Sequence, residues 1–229
     1  MSKLTLGRLK LFCAILEDAI STPESSTRSG MRQCFLSIVM LRGHIVFLSI
    51  SHIMSRCLGQ TLKQHMIAFD ERSLDKYVMI TRKSFIKYGR LFDDTRPALK
   101  SLKNLGYSLS IISNADLDVY RQLARLRLSS FFARGVTSYE ARSYKPLRRI
   151  FAKALRATRS KPEEAVMVGD SLEYDIAGAS RVGMTTILID RRSGCDSRRT
   201  VAAHVQPDYI IRDLREIGII LSCLDGCIR

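Results

Sequence analysis

Between residues 25 and 69 the chain has neither Asp nor Glu, while Arg28, Arg32, Arg42, Arg56 and Lys63 supply only positive charge. A solvated helical surface normally mixes both signs, so this stretch stands apart in composition. It also lacks an apolar run long enough to span a bilayer. Residues 35–54 come nearest, but Arg42, His44 and His52 interrupt them before the roughly 18 to 20 residues that a span requires. We therefore read them as the core of a helical unit, and no membrane association is expected. The N-terminus has neither the flanks nor the cleavage pattern of a secretory signal. Cys13, Cys34, Cys57, Cys195, Cys223 and Cys227 lack the paired short spacings of a zinc site, and the lone Cys223-x-x-x-Cys227 does not make one. A reducing cytoplasm is the expected compartment. His44, His52, His65 and His204 share no ligand spacing. Trp is absent, which decides nothing, and no internal repeat or low-complexity tract stands out.

What is present suffices for a packed domain with a second unit: 229 residues, 46% of them hydrophobic. A net charge of +15 and a pI near 9.9 raise nucleic-acid binding, because phosphate backbones attract basic surfaces whatever their sequence. The basic residues are scattered, however: Arg121, Arg125 and Arg127, then Arg148 and Arg149, then Arg191, Arg192, Arg198 and Arg199. They lack the aromatic interleaving of a single-strand binder. Nucleic acid is not expected as a partner, and some of these charges could instead draw a small phosphorylated substrate to a crevice. A monomer or homodimer is expected.

The most informative segment is Met167-Val168-Gly169-Asp170, an apolar strand ending in an acid, with Asp175 five residues on near the start of a helix. Glycine lets the backbone turn there without steric cost, a helix N-terminus favours an anion, and hard oxygen ligands grouped this way suit Mg²⁺. Asp170 and Asp175 could equally be helix caps. Upstream, residues 107–112 form an alternating β-branched run that ends in Ser113-Asn114 before a helical pattern, where a phosphate could rest on Ser113 and the following amides. Lys145 stands directly before Pro146, a residue suited to a first helical position, with Ile150, Phe151 and Leu155 as the apolar face behind it. Taken singly, Ser113-Asn114 reads as an N-cap and Lys145 as a solvated charge.

Strands are expected at residues 11–16, 108–112, 136–137, 165–168, 185–189 and 209–211, separated by helical segments. Such alternation calls for a doubly wound parallel sheet, whose ligands bind beyond the carboxyl ends of the strands. The expected last helix of the second unit runs from Leu74 to about Tyr88, with Asp94 or Thr95 capping the helix that re-enters the core. Residues 191–200 read as a long surface loop.

Together, Ser113, Lys145 and the pair Asp170 and Asp175 make the chain resemble the haloacid dehalogenase-like hydrolase superfamily over roughly residues 95 to 215. Ser113 matches its second motif, Lys145 its third, and the two aspartates its fourth. The resemblance implies an α/β, Rossmann-like doubly wound parallel sheet core with a helical cap inserted after the first strand. Residues 1–22 and 95–229 would form the core and residues 23–94 a divergent cap. It also implies Mg²⁺ as cofactor and an aspartate that is transiently phosphorylated. The family's first motif, Asp-x-Asp-Gly-Thr, does not occur as such. The nearest parallel is Asp18-Ala19-Ile20-Ser21-Thr22 after an apolar run, with Ile20 where a phosphatase has its second acid and Ser21 in place of glycine. A rival, Asp70, has Arg72 two residues on, which holds its proton too tightly to act as an acid, and Asp70 reads better as the start of a helix through Leu74, Tyr77 and Val78.

On this resemblance the expected activity is hydrolysis of a small phosphomonoester. Asp18 would attack phosphorus, Asp18 and Asp170 would hold Mg²⁺ with Asp175 in support, and Ser113, Asn114 and Lys145 would neutralise the phosphate oxygens. A catalytically silent member that binds a phosphorylated ligand or a protein, and a metal-independent 2-haloacid dehalogenase, are the alternatives. The N-terminal stretch is either divergent or in a different reading frame from that of its relatives. Recovery of tryptic peptides from residues 1 to 70 as written would end the second of these.

Overall fold

The computed structural model describes residues 10–13, 47–191 and 205–227. Six parallel strands form one sheet in the order β3-β2-β1-β4-β5-β6. They are β1 (Lys10–Cys13), β2 (Ser108–Ser113), β3 (Phe132–Thr137), β4 (Ala165–Gly169), β5 (Thr185–Ile189) and β6 (Tyr209–Ile211). β1 lies at the centre, with Cys13 opposite Ile111 of β2 on one side and Val168 of β4 on the other. The strand order reverses at β1, which makes the crevice beyond its carboxyl end the natural ligand position of such a sheet.

Both faces of the sheet are covered, and β2 and β4 show why. In β4, Val166 and Val168 point into one apolar cluster, Ala165 and Met167 into the other, and all four are completely buried. Period-two alternation in which both sets are apolar requires helices on both sides. The first layer comes from α3 (Thr95–Asn104), α4 (Asp118–Arg125) and α8 (Ile217–Cys227), through Leu99, Leu102, Val119, Leu123, Ile217 and Leu221. The second comes from α5 (Ser138–Ala141), α6 (Arg148–Thr158) and α7 (Ala177–Ser180). In α6, Ile150, Phe151, Ala154 and Leu155 recur at helical spacing and are all buried, as the sequence pattern required.

Ahead of α3 stand two helices packed on each other, α1 (Ile50–Gln64) and α2 (Glu71–Tyr88). Part of the acid-free stretch, from residue 47 onward, thus includes a helix, with Ile53 and Cys57 buried beside Tyr144. Among the described residues no helix is long and apolar enough to cross a membrane.

As expected, α2 begins directly after Asp70, which occupies its N-cap position without a side-chain bond to the backbone, and it ends at Tyr88; Leu74 and Val78 are buried and Tyr77 is exposed. Asp94 occupies the N-cap position of α3 but makes no side-chain cap bond. Its carboxylate accepts instead from Arg191 Nη1 at 2.7 Å, Arg191 Nη2 at 3.0 Å and the Leu214 amide at 2.8 Å. Arg191, the first residue of the expected surface loop, is held by this ion pair and lies over the Phe92 ring. Here the carboxylate makes three charge-assisted bonds, two of them to one planar guanidinium, where a local cap would have made one.

Phe151 is fully buried between the sheet and α7, where a Cβ on Gly178 would overlap its ring. Truncation by Phe151→Ala should lower unfolding free energy by about 3–5 kcal/mol, read from the midpoint of urea denaturation followed by circular dichroism.

Candidate functional site

Ser113 is the last residue of β2 and is buried, and Asn114 follows it. The Asn114 side chain uses both of its functions on one residue across 31 positions of chain: Oδ1 accepts from the Lys145 amide at 2.7 Å, and Nδ2 donates to the Lys145 carbonyl at 3.2 Å. Only an amide side chain offers a donor and an acceptor in this way. The N-cap reading of Ser113-Asn114 does not hold, since α4 starts at Asp118 with Leu117 as its N-cap residue. Pro146 is likewise not at a first helical position, because Leu147 precedes α6, and the Lys145–Pro146 peptide is cis.

Lys145 is not a solvated charge either. Its Nζ lies 2.6 Å from Asp175 Oδ1, and both side chains have no exposed surface. The other oxygen of Asp175 accepts from the Ser171 amide at 3.1 Å, and Ser171 Oγ in turn accepts from the Tyr174 amide at 3.1 Å. Asp175 sits in a single π-helical turn, Leu172–Ile176, that leads into α7. Such turns are rare overall and frequent at functional sites. Gly169 turns out to matter for a reason other than chain reversal: a Cβ there would stand 2.5 Å from Asp175 Cβ, Cγ and Oδ2. It is close approach of a carboxylate that demands glycine.

Asp170 follows directly and is partly exposed at the end of β4. The carboxyl ends of β2 and β4, on either side of β1, therefore present Ser113 and Asp170, while Asn114, Lys145 and Asp175 are bonded into one unit. Asp18 lies outside the described residues. Among the described residues no group of three or more His, Cys, Asp or Glu side chains comes together as a ready metal cage. Tyr144, beside Lys145, was not singled out by sequence reasoning. It is buried, its hydroxyl donates to the Leu48 carbonyl, and its ring stacks on Phe47 with centroids 5.1 Å apart. Burial, reinforced by the nearby Asp116 carboxylate, pushes its phenol above its ordinary range, so it remains a neutral donor. Its place directly before Lys145 was the signal the sequence offered.

A sequence model described as haloacid dehalogenase-like hydrolase matches residues 48–189. The chain belongs to this family. It is 38% identical over 133 residues to a glyceraldehyde 3-phosphate phosphatase of Methanothermobacter thermautotrophicus, covering 58% of this chain and 59% of that protein. It is 40% identical over 131 residues to a protein of the same description from Methanopyrus kandleri, covering 57% and 56%. The chain thus matches less than three fifths of the length of these relatives. Among solved structures, a haloacid dehalogenase-like phosphatase from Thermococcus onnurineus aligns with a TM-score of 0.60 at 24% identity, over 93% of this chain and 97% of that one. At that identity the likeness speaks for the fold, which agrees with the parallel sheet and its two helical layers.

Asp175→Ala would strand a buried ammonium, and breaking such a pair typically costs about 3–5 kcal/mol. The double variant Lys145→Met with Asp175→Leu should recover a large part of that loss in urea denaturation, because neither residual charge is then left unpaired.

Proposed function

We propose that the chain is a phosphatase that hydrolyses a small phosphomonoester with Mg²⁺, with Asp18 as nucleophile and the cytoplasm as its compartment. The observation that carries this reading is the buried unit in which Asn114 grips the Lys145 backbone while Asp175 grips its ammonium. Held at both ends beside a serine at a strand terminus, the lysine carries a fixed positive charge at the position where a sheet of this topology binds its ligand. The phosphatase descriptions of its sequence relatives point the same way.

The donor set suits a hard cation. Mg²⁺ is usually held by one or two carboxylates, with substrate oxygens and waters completing its shell. Asp170, partly exposed at the strand end, and Asp18 would meet that need. Asp175 already accepts one hydrogen bond at each oxygen, and so would support from behind the lysine. When bound, the ion supplies charge neutralisation at the phosphoryl oxygens.

The residues of the chain do the rest. The Ser113 hydroxyl, the Asn114 backbone N–H and the Lys145 ammonium bind the non-bridging oxygens and orient the phosphorus for attack by Asp18. A carboxylate oxygen of Asp18 forms a bond to phosphorus as the bond to the ester oxygen breaks. Water then cleaves the aspartyl phosphate, releasing inorganic phosphate and restoring the carboxylate. Ile20 stands where the family has a proton donor, so the departing alkoxide takes its proton from solvent. General acid catalysis is worth about 10²–10⁴-fold, and its absence favours leaving groups that are stable as anions. A second reading, a silent phosphate-ligand binder, draws on that same Ile20.

The test is para-nitrophenyl phosphate turnover with and without Mg²⁺. Turnover should depend on the metal, vanish in Asp18→Asn, and fall by about 10²–10³-fold in Lys145→Met. A simple alkyl phosphate should be turned over far more slowly than the aryl ester. Folded protein with no turnover, unchanged in Asp18→Asn, would establish the silent form, and metal-independent halide release from a 2-haloacid would establish dehalogenation.

A further inference from the structure

The first turn of α1 contains no acidic residue, although a helix N-terminus favours a nearby negative charge. Ser49 caps the His52 amide in the ordinary local way. The two amides before it are satisfied from far along the chain. Asp116 Oδ1 accepts from the Ile50 amide at 3.1 Å, and Asp116 Oδ2 accepts from the Ser51 amide at 3.2 Å and from Ser51 Oγ at 2.9 Å. Asp116 lies two residues after Asn114, so the loop that leaves β2 is the one that caps α1.

The second helix of the pair reaches the same loop. Arg82 of α2 places Nη1 2.7 Å from Asp116 Oδ2 and Nη2 2.5 Å from Asp118 Oδ2, with Nε donating to the latter at 3.0 Å. The side chains of Arg82 and Asp116 are only 13% and 15% exposed, so water screens this fork little. On the other side, Tyr144 holds the Leu48 carbonyl and stacks on Phe47, and Arg142 lies over the Phe47 ring at 4.7 Å. The chain entering α1 is therefore gripped by the residue before Lys145, and the first turn of α1 by the residue two after Asn114. Asn114 and Lys145 are themselves bonded together.

We propose that Asp116 is a positioning residue, joined to α2 by Arg82, that fixes the α1–α2 pair to the Ser113–Asn114 and Lys145 loops and makes the geometry of those loops depend on the docking of the two helices. A cap bond alone needs only one carboxylate oxygen, whereas here both oxygens and an arginine fork converge on one loop residue next to the candidate anion site. The proposal rests on reading those loops as the phosphate site. Its physical content is a coupling free energy between helix docking and loop order, which is measurable without turnover.

The experiment compares Arg82→Met, Arg82→Lys and Asp116→Asn with the parent full-length chain, by amide hydrogen exchange and by the kinetics of para-nitrophenyl phosphate with Mg²⁺. Arg82→Met should speed exchange at Ile50 and Ser51, and also at Asn114 to Asp118, on the order of tenfold or more, the equivalent of one charge-assisted hydrogen bond lost. Arg82→Lys, which keeps the charge without the fork, should recover part of that protection. Asp116→Asn should reproduce the pattern and raise KM several-fold, with kcat changed far less. Exchange that rises only within α2, leaving Asn114 to Asp118 as protected as before, would overturn the proposal. If the parent chain turns nothing over, the phosphatase reading fails, and exchange together with the lysine rescue decides the coupling by itself.

Discussion

The ion pair between Lys145 and Asp175 is the contact on which the rest of the candidate site depends. Two charges taken wholly out of water cost more than they return unless geometry and further hydrogen bonds compensate. Here the compensation comes from two segments of chain, Asn114 just after β2 and the stretch from Gly169 to Ile176. Asn114 fixes the lysine backbone, the Ser171 amide donates to the second oxygen of Asp175, Gly169 makes room for that carboxylate, and the π-helical turn carries it. The strand ends that carry Ser113 and Asp170 are held at a common crevice by the same set of bonds. These bonds fix the lysine in place without any ligand, which is what the proposed electrostatic stabilisation of a phosphoryl group would require.

Much of the fold was legible because the sheet is buried on both faces. Continuous apolar runs such as Ala165 to Val168 have no other use in a chain of alternating segments, and β5 and β6 fall at the bounds expected of them. β3 was expected only at residues 136–137, yet it begins at Phe132. Arg134 and Gly135 interrupt its pattern, and an edge strand tolerates an exposed arginine where a central one would not. The chain before Lys10 and between residues 14 and 46, where Asp18 falls, lies outside the described residues.

Partners of single side chains were less legible than elements. Asp94 looked like a cap because caps are local, but its carboxylate answers to Arg191 and Leu214, far along the chain. Asp116 gave no local sign of capping a helix that begins 66 residues before it. Lys145 was expected at the site, but its pairing with an aspartate thirty residues on could not be read from either residue alone. These partners have one thing in common: they are long-range charge pairings, and no period in the sequence encodes them.

The space around Gly169 has an evolutionary corollary. The alpha hydrogen of this residue abuts the carboxylate that anchors the lysine, so the codon can drift to no other amino acid without pushing that anchor aside. A loss of function traced to this position in any relative that shares the arrangement would therefore report a displaced lysine, with every reacting group still present in the gene.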